Sequence, residues 1–173
     1  LIPAKISGIR VFILLPAIPG PAIAAAYICA SFVRAAIAGI GVYVVCMVWA
    51  APSVANPFYL FAFAFCGVII MASLGLITAL WAEKYDQMGA VMNFVVMPLT
   101  FLSGVFYSVE SLPPVWRQLS LFNPFFYLVD GFRQGFFGTG TTNAPLSLMI
   151  VALTALAVMA AAVTLVTRGW KIR

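Results

Sequence analysis

Hydrophobic and polar positions fall in long blocks along this chain. Residues 22–51, 58–82, 89–107 and 144–167 are apolar almost throughout, and polar or charged residues are bunched between them. A hydrocarbon layer about 30 Å thick takes roughly 20 helical residues, so each block predicts a membrane-spanning helix. The expected fold is all-α: a polytopic membrane protein with four spans in a single transmembrane domain over residues 1–173.

The intervals predict the rest. Residues 1–21 carry Lys5, Arg10, a Ser7-Gly8 break and prolines at 16, 19 and 21, which favours a short interfacial amphipathic helix and then a kinked approach to the membrane. The first block contains Arg34. As a helix this block measures about 45 Å, longer than the hydrocarbon, so its first third can project and let Arg34 snorkel to the headgroups; the alternative is that Arg34 faces a polar path. In the second block Gly67, Met71 and Gly75 recur every fourth residue, a small face for helix packing. Glu83, Lys84, Asp86 and Gln87 form the densest charge cluster, either a solvated loop or a surface for a partner subunit. The third block holds Asn93, Pro98, Thr100, Ser103 and Gly104, and Pro98 predicts a kink.

Residues 108–143 are too polar for a simple span and too apolar for a soluble loop. Pro113-Pro114 can start one short helix, and Asn123-Pro124 reads as an N-cap and first turn for another. On the latter, Asp130 and Arg133 are three residues apart and can pair. The aromatics of 122–137 suit headgroup depth, so two short helices are expected to dip into the outer leaflet and return. Residues 139–143 are expected to be a flexible loop.

Composition supports this class: 65% of residues are hydrophobic and 8% charged, with mean hydropathy +1.14. The net charge of +5 comes from basic residues that lie mostly in loops between the apolar blocks and at the C-terminus, and does not suggest a nucleic-acid surface. With both ends cytoplasmic, Lys5, Arg10, Arg34, Lys84, Arg168, Lys171 and Arg173 lie inside, against Arg117 and Arg133 outside, as the positive-inside rule asks. Cys29, Cys46 and Cys66 have neither disulfide nor zinc spacing and read as packing residues. The chain has no histidine, which removes histidine-based catalysis and histidine metal ligation. No lysine follows a glycine, so there is no phosphate-binding P-loop. An embedded enzyme is disfavoured, and no cofactor or metal is expected.

From Ala82 to Gly138 an ordered pattern runs through the chain: an acidic-basic loop, then N-F-x-x-x-P-L-x-F-L-S-G-x-F-Y, L-P-x-x-W and F-N-P-x-x-Y-x-x-D-G-F-R. It resembles the membrane permeases of ABC-2 type exporters, including those for drugs, lipo-oligosaccharides and polysaccharides. That resemblance implies a transport subunit of the bacterial inner membrane without an ATP site of its own, working with a separate ABC ATPase that binds the ATP, and with a second permease copy as a homodimer. It implies that residues 1–21 form the coupling helix, with Lys5, Ser7, Gly8 and Arg10 at the ATPase and Glu83, Lys84 and Asp86 as a second contact. The two dipping helices correspond to external re-entrant helices over the path. Asn93, Pro98, Ser103, Asn123, Asp130 and Arg133 become candidates for gating or lining that path, with kinking, capping or a local ion pair the open alternative for each. The family's usual six spans leave the first two without a counterpart here, so the competing expectation is an inactive fragment or a membrane scaffold.

Overall fold

The computed structural model describes residues 20–50, 54–106 and 113–168, and every regular element among them is helical. In chain order these are α1 (Gly20–Ala50), α2 (Pro57–Trp81), α3 (Tyr85–Val91), a π-helical segment (Met92–Val96), α4 (Met97–Phe101), α5 (Pro114–Phe122), α6 (Pro124–Phe137) and α7 (Ala144–Thr167). Prolines stand in the first turn of α2, α5, α6 and α7, where a missing N–H costs nothing and the fixed φ is already helical.

Among the described residues, three helices are long and apolar enough to cross a membrane: Ala24–Trp49 within α1, Pro57–Trp81 and Ala144–Thr167. The third block of the sequence is not among them. Its continuous helix, Tyr85–Phe101, comprises elements of seven, five and five residues, about 25 Å at 1.5 Å per residue against a layer of about 30 Å. The irregularity expected at Pro98 lies one turn earlier. The N–H of Met97 reaches the carbonyl of Met92, five residues back, so the helix widens into a π turn just before the proline, a known means of absorbing a break in the hydrogen-bond ladder. The helix stops at Phe101, and Gly104 takes a left-handed φ of 77°, a conformation that glycine adopts without a Cβ penalty.

α2 is the central element and packs most extensively on α7 and α6. One apolar cluster joins Ala24, Leu76, Leu80, Ala162 and Val166 at one end of the bundle. The other joins Phe63, Ile70, Phe125, Val151 and Ala155. α1 lies against this body along one stripe, through Ala24 and a ring contact of 4.8 Å between Phe32 and Phe65. The rest of α1 is exposed apolar surface, as suits a helix facing lipid or further helices.

α6 runs antiparallel to α2 at unusually close range. A Cβ on Gly135 would sit 2.8 Å from the Leu60 backbone, one on Gly131 would overlap the Phe63 ring, and one on Gly67 of α2 would sit 3.2 Å from the Leu128 side chain. Gly131 and Gly135 are thus the small residues that let two helices touch. Of the small face expected on α2, only Gly67 serves this purpose; Gly75 has nothing within 4 Å. These pairs set a register in which the C-terminal end of α6 meets the start of α2, and its N-terminal end lies opposite residues near 71, about 21 Å down α2 at the helical rise. Two backbone bonds lock the shallow end: the N–H groups of Ala55 and Asn56 donate to the carbonyls of Phe136 and Gly135 at 3.0 and 2.9 Å, satisfying last-turn carbonyls that α6 cannot satisfy itself.

Candidate functional site

Among the described residues, buried Asn123, Asp130, Gln134 and Ser147 gather at α6 and its junction with α7. Asp130 is 2% exposed, and its carboxylate is ringed by donors. Oδ1 accepts from the Thr141 N–H at 2.9 Å; Oδ2 accepts from the Thr142 N–H at 3.0 Å, Thr142 Oγ1 at 2.6 Å and Gln134 Nε2 at 3.1 Å. Gln134 Nε2 also donates to the Thr142 carbonyl at 2.6 Å. The Thr142 hydroxyl has one proton, given to Asp130, so at its 2.6 Å contact with Ser147 Oγ Ser147 is the donor. The network ties α6 to the first turn of α7. It also corrects the expectation of a flexible 139–143 loop, because two successive amides of that loop are fixed on a buried carboxylate. Gly140 is packed against the Gln134 side chain so closely that a Cβ would overlap it.

Asp130 and Arg133 do not pair with each other. Arg133 Nη2 donates instead to the Gly104 carbonyl at 3.0 Å. Three residues along a helix place two side chains on neighbouring faces, but each here finds a nearer partner on a different segment. Asn123, 4% exposed, joins three helices. It ends α5, its Oδ1 caps α6 by accepting from the Phe125 N–H at 3.0 Å, and its Nδ2 donates to the Leu99 carbonyl of α4 at 2.6 Å. Arg133 and Asn123 together hold residues 99–104 against α6.

Ser103 is buried and its hydroxyl donates to the Thr100 carbonyl at 2.5 Å, a local cap. Pro98 opens α4, and Asn93 is exposed within the π segment. Thus Asn123, Asp130 and Arg133 are engaged at α6, Ser103 makes a local bond beside Gly104, and Asn93 and Pro98 have no such role. Glu83, Lys84 and Asp86 are exposed beyond the other end of α2, where Gln87 Oε1 accepts from the Glu83 N–H at 2.7 Å at the start of α3. Lys5, Ser7, Gly8 and Arg10 lie outside the described residues.

Sequence reasoning missed Gln134, Thr142 and Ser147. Gln134 stands one turn after Asp130, a spacing that was visible; the threonine and serine carried no local signal. The position of Arg34 along the bundle is set by packing as well. Phe32 contacts Phe65, and Arg34 shares a groove wall with Gly67 and Val68, so it lies abreast of the middle of α2. From Gly67 the ends of α2 are about 15 and 21 Å away, farther than an arginine side chain extends. Arg34 is thus set beside the middle of α2, away from both of its ends.

Against known proteins, the family described as ABC-2 type transporter matches residues 10–137. The chain is similar to the Inner membrane transport permease YadH of Escherichia coli (strain K12), 42% identical over 89 residues, 49% of this chain and 35% of that protein. It is similar to Nodulation protein J of Rhizobium leguminosarum bv. viciae, 28% identical over 85 residues, 49% of this chain and 33% of that protein. It also resembles the Capsule polysaccharide export inner-membrane protein CtrC of Neisseria meningitidis serogroup B (strain ATCC BAA-335 / MC58), 35% identical over 69 residues, 38% of this chain and 25% of that protein. The matched part spans about a third of the length of the first of these relatives. No solved structure gives a significant match.

Proposed function

The chain belongs to the ABC-2 type transporter family, and from that membership we propose that it is a membrane-spanning permease subunit of an ATP-driven exporter in the bacterial inner membrane. The match over residues 10–137 carries this reading. The chain's own residues supply no bond chemistry. They supply contacts that differ between two states of a path, and the energy comes from a separate ATPase subunit.

In this proposal the short helix Tyr85–Phe101, continued by the turn through Gly104, is a fourth span, and α5 and α6 form an external re-entrant pair. The register of α6 along α2 supports this, since its N-terminus sits about 21 Å down a 25-residue apolar helix while its C-terminus meets that helix's start. Backbone turning at such depth is tolerated when protein groups satisfy it, which is what Asn123 does. Both ends of the chain are cytoplasmic. Residues 1–21 and the exposed Glu83, Lys84 and Asp86 then face the ATPase, and Asp130, Arg133 and Asn123 hold the external cap. The assembly is a homodimer of permeases with two ATPases.

The test is co-purification of the full-length permease with a separately encoded ABC ATPase, followed by ATP hydrolysis in lipid discs. Expected are a stable complex and hydrolysis altered by the permease, with charge reversal at Glu83, Lys84 and Asp86 weakening capture. A full-length chain that captures no ATPase would refute the exporter reading and leave a scaffold.

A further inference from the structure

In the helix Tyr85–Phe101 the Met97 N–H reaches the Met92 carbonyl, five residues back. An α-helix closes the same ladder over four, so the turn Met92–Val96 holds one surplus residue. The two sides of that turn are held very differently. On the C-terminal side Pro98 has a fixed φ, the Thr100 hydroxyl donates to the Val96 carbonyl at 2.8 Å, and the carbonyls of Leu99 and Gly104 accept from Asn123 and Arg133. On the N-terminal side Met92, Asn93, Phe94 and Val95 are exposed. The extensive contacts of the π segment are with its own helical neighbours, α3 and α4.

The other end of this helix is attached too. Ala82, Glu83 and Lys84 join α3 to α2, α3 packs on α2, and Gln87 Oε1 accepts from the Glu83 N–H. A surplus residue between two attached ends can travel along the helix without breaking either attachment. Each step exchanges a bond reaching five residues back for one reaching four, so the number of backbone bonds is kept. The residues it passes join the ladder of α4, turning by about 100° and advancing by about 1.5 Å along the axis. Travel in the other direction stops at Pro98, which has no N–H to close either kind of bond.

We propose that the π turn is a built-in hinge, whose surplus residue shifts from Met92–Val96 towards the 82–84 link and turns α3 while α4, α5 and α6 stay fixed. Hinges of this kind absorb a large local backbone change and leave the packed elements on either side intact. A side chain about 5 Å from the helix axis is carried about 8 Å by a turn of about 100°. The stroke of an ATPase that grips Glu83, Lys84 and Asp86 is then taken up as rotation of α3, and the bonds of Leu99 and Gly104 to Asn123 and Arg133 survive it. That coupling role rests on the export reading above; the hinge itself stands on the ladder and its anchors.

The experiment uses the full-length permease in lipid discs, with Cys29, Cys46 and Cys66 replaced by serine and spin-label pairs at Ala90 and Thr139 or at Met97 and Thr139. Pulsed spin resonance reads the distances in the permease alone and in its complex with a separately encoded ABC ATPase, without nucleotide and with ATP trapped by vanadate. A chain lacking Val95 has no surplus residue, and a chain lacking Ala72 of α2 is the control. In the permease alone the Ala90–Thr139 distribution should be broad in the wild type and narrow without Val95, with Met97–Thr139 narrow in both. In the complex, trapping should shift the mean Ala90–Thr139 distance in the wild type, by up to about 8 Å, and leave it in place without Val95. Loss of Val95 should keep or raise the thermal midpoint, because an α ladder replaces the π turn between unchanged anchors, whereas loss of Ala72 turns half of α2 away from α6 and α7 and should lower it strongly. Equal widths of the Ala90–Thr139 distribution in the two chains, unfolding of the chain without Val95, or movement of Met97 together with Ala90 would overturn the hinge. A broad wild-type distribution that trapping does not shift would uphold the hinge and overturn its coupling role. Failure to capture any ATPase would count against the export reading, and the two distributions in the permease alone would still decide the hinge.

Discussion

Replacing Asp130 by alanine removes the acceptor on which the α6–α7 junction converges. Four donors lose it: two backbone amides, one hydroxyl and one side-chain amide. Polar contacts within membrane proteins contribute about 0.5–2 kcal/mol each, and bonds to a charged group lie towards the upper end. Not every donor is stranded, because Gln134 Nε2 keeps the Thr142 carbonyl, Thr142 Oγ1 can turn to Ser147, and water reaches the exposed Thr141. The expected loss is about 3 kcal/mol, confined to the junction. At 1.4 kcal/mol per decade, the Thr141 and Thr142 amides should exchange with solvent about a hundred-fold faster. Hydrogen exchange of the protein in lipid discs, read on peptides covering 138–147, measures this. Peptides covering 57–67 serve as the internal control, since the close contacts of Leu60 with Gly135 and Phe63 with Gly131 do not involve Asp130. Asp130→Asn should fall between wild type and alanine, because one oxygen still accepts while the new NH2 faces donors. Unchanged exchange at Thr141 and Thr142 in Asp130→Ala, or a rise spread evenly over the bundle, would refute the reasoning.

Exchanging the charges, with Asp130→Arg and Arg133→Asp together, should not rescue the single substitutions, as the two residues share no partner; complex yield and thermal midpoint should fall at least as far as in the worse single variant. Gly135→Ala should cost about 1–3 kcal/mol by forcing the α2 and α6 backbones apart, whereas Gly75→Ala, in open space, should leave the thermal midpoint unchanged or raise it slightly. Asn123→Asp should keep the α6 cap but release Leu99, and Asn123→Ala should lose both at about 1–2 kcal/mol for the cap alone; exchange over residues 99–104 rises in both, and the melting point falls more in the second. A single cysteine at Thr139, with Cys29, Cys46 and Cys66 replaced by serine, should react with a membrane-impermeant maleimide from outside intact cells, and reaction only after lysis would reverse the proposed orientation.

The helices were legible in the sequence because they depend on local chemistry. Lipid offers the backbone no partners, so a long apolar block has to be helical, and Pro113-Pro114 and Asn123-Pro124 mark where helices start by a preset φ and by capping. The all-helical character, the three long apolar helices and the family followed from those blocks and from the ordered motif of 82–138. What local chemistry could not decide was partnership and depth. A block that is apolar on every side does not reveal which face meets which helix, so the roles of Gly131 and Gly135 appear only once α6 lies on α2. Spacing let Asp130 and Arg133 pair, yet the tertiary register offers Asp130 a pair of loop amides and Arg133 a carbonyl from another segment. Length alone allowed Arg34 to lie near a helix end of the bundle, and it is the antiparallel register of α1 on α2 that sets it beside the middle of α2. A carboxylate or guanidinium within a bilayer must find partners wherever the fold brings them, and those partners lie on other helices, beyond the reach of any local pattern.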